Sequence, residues 1–172
     1  SEAGLAQRIS FELVEPGPLP IGTDSFDVIF SKDALCHIED KKALYREMFR
    51  VLKPGGQIAI GDWLVKFGGE HSKAMQEFIS STGLSFFLDS LEGVKTKLNS
   101  VGFVNVEVVN RNAWFQKEAR HETQLLEGPL AGQVVGLRGK AVADSSNDCQ
   151  QKMITVLDTG EFCPAHFFAQ KP

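Results

Sequence analysis

The 172-residue sequence is sparing in features that would each point to a function. It has three cysteines, Cys36, Cys149 and Cys163, an odd number with no C-x-x-C pair among them. A disulfide framework and a cysteine-based zinc or redox site are excluded on that spacing, and the three read as reduced thiols. No run of Lys or Arg forms a basic stripe, and 18 basic against 22 acidic residues give a net charge of -4. Binding of nucleic acid, which relies on neutralising phosphates, is not expected. No stretch approaches the roughly 18 to 20 consecutive apolar residues that cross a bilayer, and residues 1–10 lack a basic-then-apolar signal pattern. A cytoplasmic protein with no membrane partner is the expectation. Internal repeats and low-complexity tracts are also missing.

What remains is the make-up of one globular domain over residues 1–172, with 42% hydrophobic and 23% charged residues. Phe26 to Ser31 (F-D-V-I-F-S), preceded by turn-forming Gly22-Thr23-Asp24-Ser25, reads as a buried strand. From Asp40 to Leu52 the apolar residues Leu44, Met48, Val51 and Leu52 recur at helical spacing. Asp40 can cap that helix, and Pro54-Gly55-Gly56 stops it. Gln57 to Asp62 is a second short apolar run, so strand, helix and strand follow with tight connections. Such a unit closes as a right-handed parallel crossover in an α/β sheet.

Upstream, Ser1 to Gln7 has the pattern of a helix tail, and Ile9, Phe11 and Leu13 alternate as in a strand. Downstream, helices are expected over 72–87 and 90–101, the second ended by Gly102, then a strand over 103–109. Further helices are expected over 113–127 and 144–157, and a last strand over 162–170. The four-glycine segment Gly128 to Lys140 is the least regular in pattern.

The stretch F26-D-V-I-F-S-K-D-A-L-C-H37, a helix, then R50-V-L-K-P-G-G56 and Q57-I-A-I-G-D62 resembles the central motifs of class I S-adenosylmethionine (SAM) dependent methyltransferases. Asn110-Arg111 and Gly160 to Lys171 resemble the ends of sarcosine/dimethylglycine and phosphoethanolamine N-methyltransferases. The resemblance implies a Rossmann-like α/β sheet, SAM as methyl donor and a small-molecule acceptor, most simply an amine. Residues 1–62 would form core sheet and helix, 63–102 acceptor-side helices and 103–172 the closing strands and helices. The family's G-x-G-x-G loop and its acid on the second strand are absent: no G-x-G occurs among the 16 glycines. Because a strand-helix-strand unit takes about 30 residues, the expectation is a sheet truncated at the N-terminus, inactive alone.

Ligands in open α/β sheets bind beyond the carboxyl ends of the strands, here 31–37 and Asp62-Trp63. The resemblance implies that His37 manages the acceptor's proton, which suits a side chain titrating near pH 6.5. Asp33 would pair with an amine or with the SAM ammonium group. Ser31 and Lys32 would touch the cofactor, and Glu15, beside Pro16, would face the adenine amino group. Trp63 and Phe78 would line the acceptor pocket, since aromatic faces attract alkylated ammonium groups by roughly 0.5 to 2 kcal/mol each. Lys152 resembles a phosphate-binding lysine, yet Gln76 to Leu84 lacks the tyrosines and arginine that complete such a site. No metal is needed. The competing reading is a catalytically inactive methyltransferase-like module that dimerises or swaps elements through exposed sheet edges.

Overall fold

A computed structural model describes Gly4, residues 8–15 and residues 17–172. Four strands form one sheet: β1 (Phe26–Lys32), β2 (Leu52–Val65), β3 (Val104–Asn110) and β4 (Phe162–Gln170), in the order β1-β2-β4-β3. β1 and β2 run parallel, and β4 is antiparallel to both β2 and β3. The six α-helices are α1 (Lys41–Val51), α2 (Lys73–Thr82), α3 (Leu91–Val101), α4 (Asn112–Glu127), α5 (Ala131–Arg138) and α6 (Lys140–Asp158).

The β1-α1-β2 crossover has the expected order and parallel pairing with a sharper join, but β1 is not the buried strand expected: none of its residues is buried, because only one face is covered. The Asp40 side chain caps α1 by accepting from the Ala43 N–H at 2.9 Å, and Tyr45, Met48 and Val51 give the helix a buried stripe. The helix passes straight into β2 at Leu52, five residues before the expected strand, because Leu52 already pairs with Phe26; Lys53 to Gly56 form an irregularity before pairing resumes at Val28 and Gln57. Gly56 permits the close approach there: a Cβ on it would lie 2.8 Å from the Lys53 carbonyl oxygen and 3.1 Å from that of Asp27.

Helices α1 and α3 cover one face of the sheet. Ile58, Ile60 and Leu64 of β2 and Ala165, Phe167 and Ala169 of β4 point into this layer against Tyr45, Met48, Val94 and Leu98. A second cluster, built from Val65, Met75, Phe78, Ala119, Val156, Leu157 and Phe162, ties α2, α4 and α6 to the end of the sheet. On the other face Val28 is 58% exposed, Phe30 74% and Phe168 42%.

Three further expectations need correction. Ile9 to Leu13 is not a strand: Phe11 and Leu13 are almost fully exposed, and the segment pairs with no described strand, so alternation there has no sheet to join. Helix α2 stops at Thr82, because Gly83 adopts the left-handed conformation at φ 68°. The segment Ala131–Arg138 is helical despite its glycines, and α6 begins at Lys140. The expected helix tail at Ser1 to Gln7 lies outside the described residues apart from Gly4.

Candidate active site

The parallel pair β1-β2 puts Lys32 beside Gly61, and antiparallel β4 adds His166 beside Gly61 and Ala165 beside Asp62. The carboxyl ends of β1 and β2 and the amino end of β4 therefore meet at one rim. At that rim Asp33 turns the chain out of β1 with φ 52°, a left-handed conformation that aspartate tolerates better than most residues. Its N–H donates to the Gly61 carbonyl at 2.8 Å, so the turn is fixed by the neighbouring strand. Its carboxylate pairs with the Lys32 ammonium at 3.0 Å, in solvent.

Four residues on, a single 3-10 turn over Leu35–His37 ends in His37. The imidazole Nδ1 lies 2.7 Å from the Ser85 carbonyl oxygen. A carbonyl only accepts, so Nδ1 carries the hydrogen, and in the neutral ring the lone pair sits on Nε2. The Phe86 ring lies 4.8 Å from the imidazole, and the Phe87 N–H donates to the Cys36 carbonyl at 2.8 Å. The loop after α2 thus grips the turn from outside.

Buried charge holds it from inside. Asp62 is 4% exposed and accepts from the Trp63 N–H at 2.9 Å. Burial pushes its carboxyl above the usual range, against the N–H of Trp63, the neighbouring Cys36 thiol and the Lys41 charge. Cys36 is 1% exposed, and burial beside Asp62 pushes its thiol up to about 12. Lys41 is 6% exposed and its ammonium donates to the Ile38 carbonyl; burial lowers its pKa, with Asp62 opposing the shift.

On the open face, a cavity of about 290 Å³ lies among Phe30, Lys32, Asp33, Phe115, His166 and Phe168. Of the residues expected at the site, Asp33 and Lys32 line this cavity; Ser31 precedes them on β1, and His37 stands on the turn beyond. Trp63 stacks on Phe162 at 5.0 Å and meets Phe115 edge-on, and Phe78 is packed against the same Phe162. Both aromatics therefore belong to the α2/α4/α6 cluster. Lys152 pairs with Asp148 on α6, a helix that packs on α2. Glu15 lies in an exposed, irregular segment, and Pro16 falls outside the described residues. Sequence reasoning missed Lys41, Phe115 and His166. His166 was findable, since strand alternation sends it to the face opposite Ala165 and Phe167.

Residues 3–60 match the model of the methyltransferase domain family. Phosphoethanolamine N-methyltransferase 1 of Arabidopsis thaliana is 32% identical over 124 residues, 72% of this chain and 25% of that protein. A solved structure of Haemonchus contortus phosphoethanolamine N-methyltransferase 2, in complex with phosphomonomethylethanolamine and S-adenosylhomocysteine, superposes with a TM-score of 0.80. It is 25% identical and covers 88% of this chain and 35% of that one. The chain has the class I methyltransferase fold. A candidate sarcosine dimethylglycine methyltransferase from Galdieria sulphuraria agrees in fold, with a TM-score of 0.85 at 22% identity, covering 99% of this chain and 62% of that one. The chain spans about a quarter of the length of the curated relatives it matches.

Lys32, Asp33 and His37 stand at the rim where β1 ends, and no G-x-G occurs in the sequence. Among the described residues no helix is long and apolar enough to cross a membrane, and no group of His, Cys, Asp and Glu could hold a metal ion.

Proposed function

We propose that this chain is the acceptor-side part of a SAM-dependent methyltransferase acting on a small molecule, with an amine nitrogen as the methyl acceptor. The observation that carries the reading is His37, whose Nδ1–H is committed to Ser85 and whose Nε2 is left to accept a proton at the rim of the parallel strands. SAM, when bound, supplies the sulfonium methyl group. An amine protonated at neutral pH must lose that proton before its nitrogen lone pair takes the methyl group, the carbon–sulfur bond breaking to leave S-adenosylhomocysteine, and His37 Nε2 is the acceptor for the proton. Asp33 supplies a carboxylate to hold a cationic amine at the strand end, where positioning accounts for much of the rate gain. Ser31 and Lys32 stand beside it on β1.

The phosphoethanolamine enzymes among the relatives suggest amine chemistry. An unphosphorylated amine is favoured over a phosphorylated one, because Lys152 is engaged by Asp148 and 76–84 contains neither tyrosine nor arginine. The cofactor grip is assigned to residues outside this chain. Calorimetry with SAM tests that: the chain alone should bind weakly, in the millimolar range. A fusion carrying the glycine-rich first unit of a phosphoethanolamine N-methyltransferase should bind in the micromolar range. Tight binding by the chain alone would overturn the assignment.

A second reading, an inactive module acting through association, is favoured by the exposed apolar residues Val28, Phe30 and Phe168 on one sheet face. It requires a concentration-dependent dimer in sedimentation, and monodispersity up to about 100 μM would dismiss it.

A further inference from the structure

We propose that Lys41 is a positioning residue that sets the orientation of the His37 imidazole; the value of that orientation rests on the base role given to His37 above. His37 stands between two anchored carbonyls. On its amino side the Cys36 carbonyl accepts from Phe87 N–H at 2.8 Å, and on its carboxyl side the Ile38 carbonyl accepts from the Lys41 ammonium. The turn closes on itself through His37 N–H to the Ala34 carbonyl at 3.2 Å and Ile38 N–H to the Leu35 carbonyl at 2.9 Å.

A lysine at the first position of a helix normally extends into solvent. Its charge is also misplaced there, because the N-terminal end of a helix carries partial positive charge. Lys41 nevertheless is 6% exposed, folded back over three residues. Such burial is costly unless the ammonium is bonded and compensated. Ile38 provides the bond, and Asp62 and Asp89 provide the opposing charge. Asp89 is itself held by Lys97 at 2.7 Å and accepts from Ser90 N–H at 2.9 Å, which leaves Asp62 as the nearby carboxylate without a direct cation contact. A ring pinned only by Ser85 and Phe86, with Cys36 held by Phe87 of the same segment, could swing with the loop after α2. Lys41, on α1, fixes the Ile38 side independently of that loop and removes that freedom.

The test is the ring tautomer of His37 in the full chain, read by long-range proton–nitrogen NMR. The wild type should hold His37 almost wholly as the Nδ1–H tautomer, with its carbon-bound protons shifted by the Phe86 ring. Lys41→Met, which keeps the stem and removes the ammonium, should lower the Nδ1–H to Nε2–H ratio at least about fivefold and abolish the ring-current shift. Asp62→Asn should do the same to a smaller extent. Leu157→Ala, buried in the α2/α4/α6 cluster, which contains no residue of the turn, should lower stability without moving either signal. An unchanged ratio in folded Lys41→Met, or an equal change in Leu157→Ala, would overturn the proposal. Should Lys41→Met fail to fold, Lys41→Leu, a shorter apolar side chain that likewise removes the ammonium from Ile38, must shift the ratio in the same direction; no shift refutes it. These signals need no methyl transfer, so they stand or fall separately from the base assignment.

Discussion

The two faces of the sheet carry similar side chains under opposite conditions. On the face under α1 and α3, Ile58, Ile60 and Phe167 are at most 2% exposed; on the other, Val28 and Phe30 are more than half exposed. Strands that face water on one side normally alternate apolar with polar, whereas parallel strands covered on both sides are apolar throughout. β1, with Phe26, Val28, Ile29 and Phe30 in seven residues, has the second pattern and is covered on one side only. The covered face holds the larger core cluster, and the open face carries the cavity beside Lys32 and Asp33.

The largest test of that division is Phe167→Ala, which removes a fully buried ring from the covered layer and should cost about 3–5 kcal/mol in denaturant unfolding. Gly56→Ala, at the join of α1 and β2, should cost about 1–3 kcal/mol, since its Cβ meets backbone oxygens that cannot yield. Phe30→Ser on the open face should change stability by no more than about 0.5 kcal/mol while reducing self-association in sedimentation. A large loss of stability there would show that the open face is covered in solution.

The smallest effect lies on the outer side of α1. Hydrogen bonds from Arg50 and from the Leu19 N–H hold the Glu47 carboxyl below its usual range. A lowered folded value stabilises the fold above the unfolded pKa, near 4.3, and that contribution is lost as pH falls through the folded value. Glu47→Gln should remove this part of the acid dependence, seen as a shallower fall in melting temperature below about pH 4.5.

Much of the fold was legible because local signals agreed with one another. Asp40, Ser72 and Ser90 cap helices where the pattern put them, and Gly102 ends α3 as expected, whereas Gly83 ends α2 five residues before the expected end at Phe87. The segment Ile9 to Leu13 misled because alternation describes a strand only when a neighbour is present. Of the residues named from the motif at the end of β1, Asp33 lines the cavity and His37 stands on the turn beyond it, while Lys41 was passed over because a lysine opening a helix normally faces water. Trp63 and Phe78 looked suited to a pocket, yet aromatic residues near a strand end also serve as core, and here both meet Phe162. Nothing in their spacing separates the two uses.

The most direct test of the central claim is methyl transfer from labelled SAM to a small amine by the fusion that restores a glycine-rich first unit, compared with its His37→Ala variant. The account predicts transfer by the fusion and a loss of about 10²–10⁴-fold in kcat on removing the base. A His37→Ala rate within about twofold of the parent fusion would contradict it.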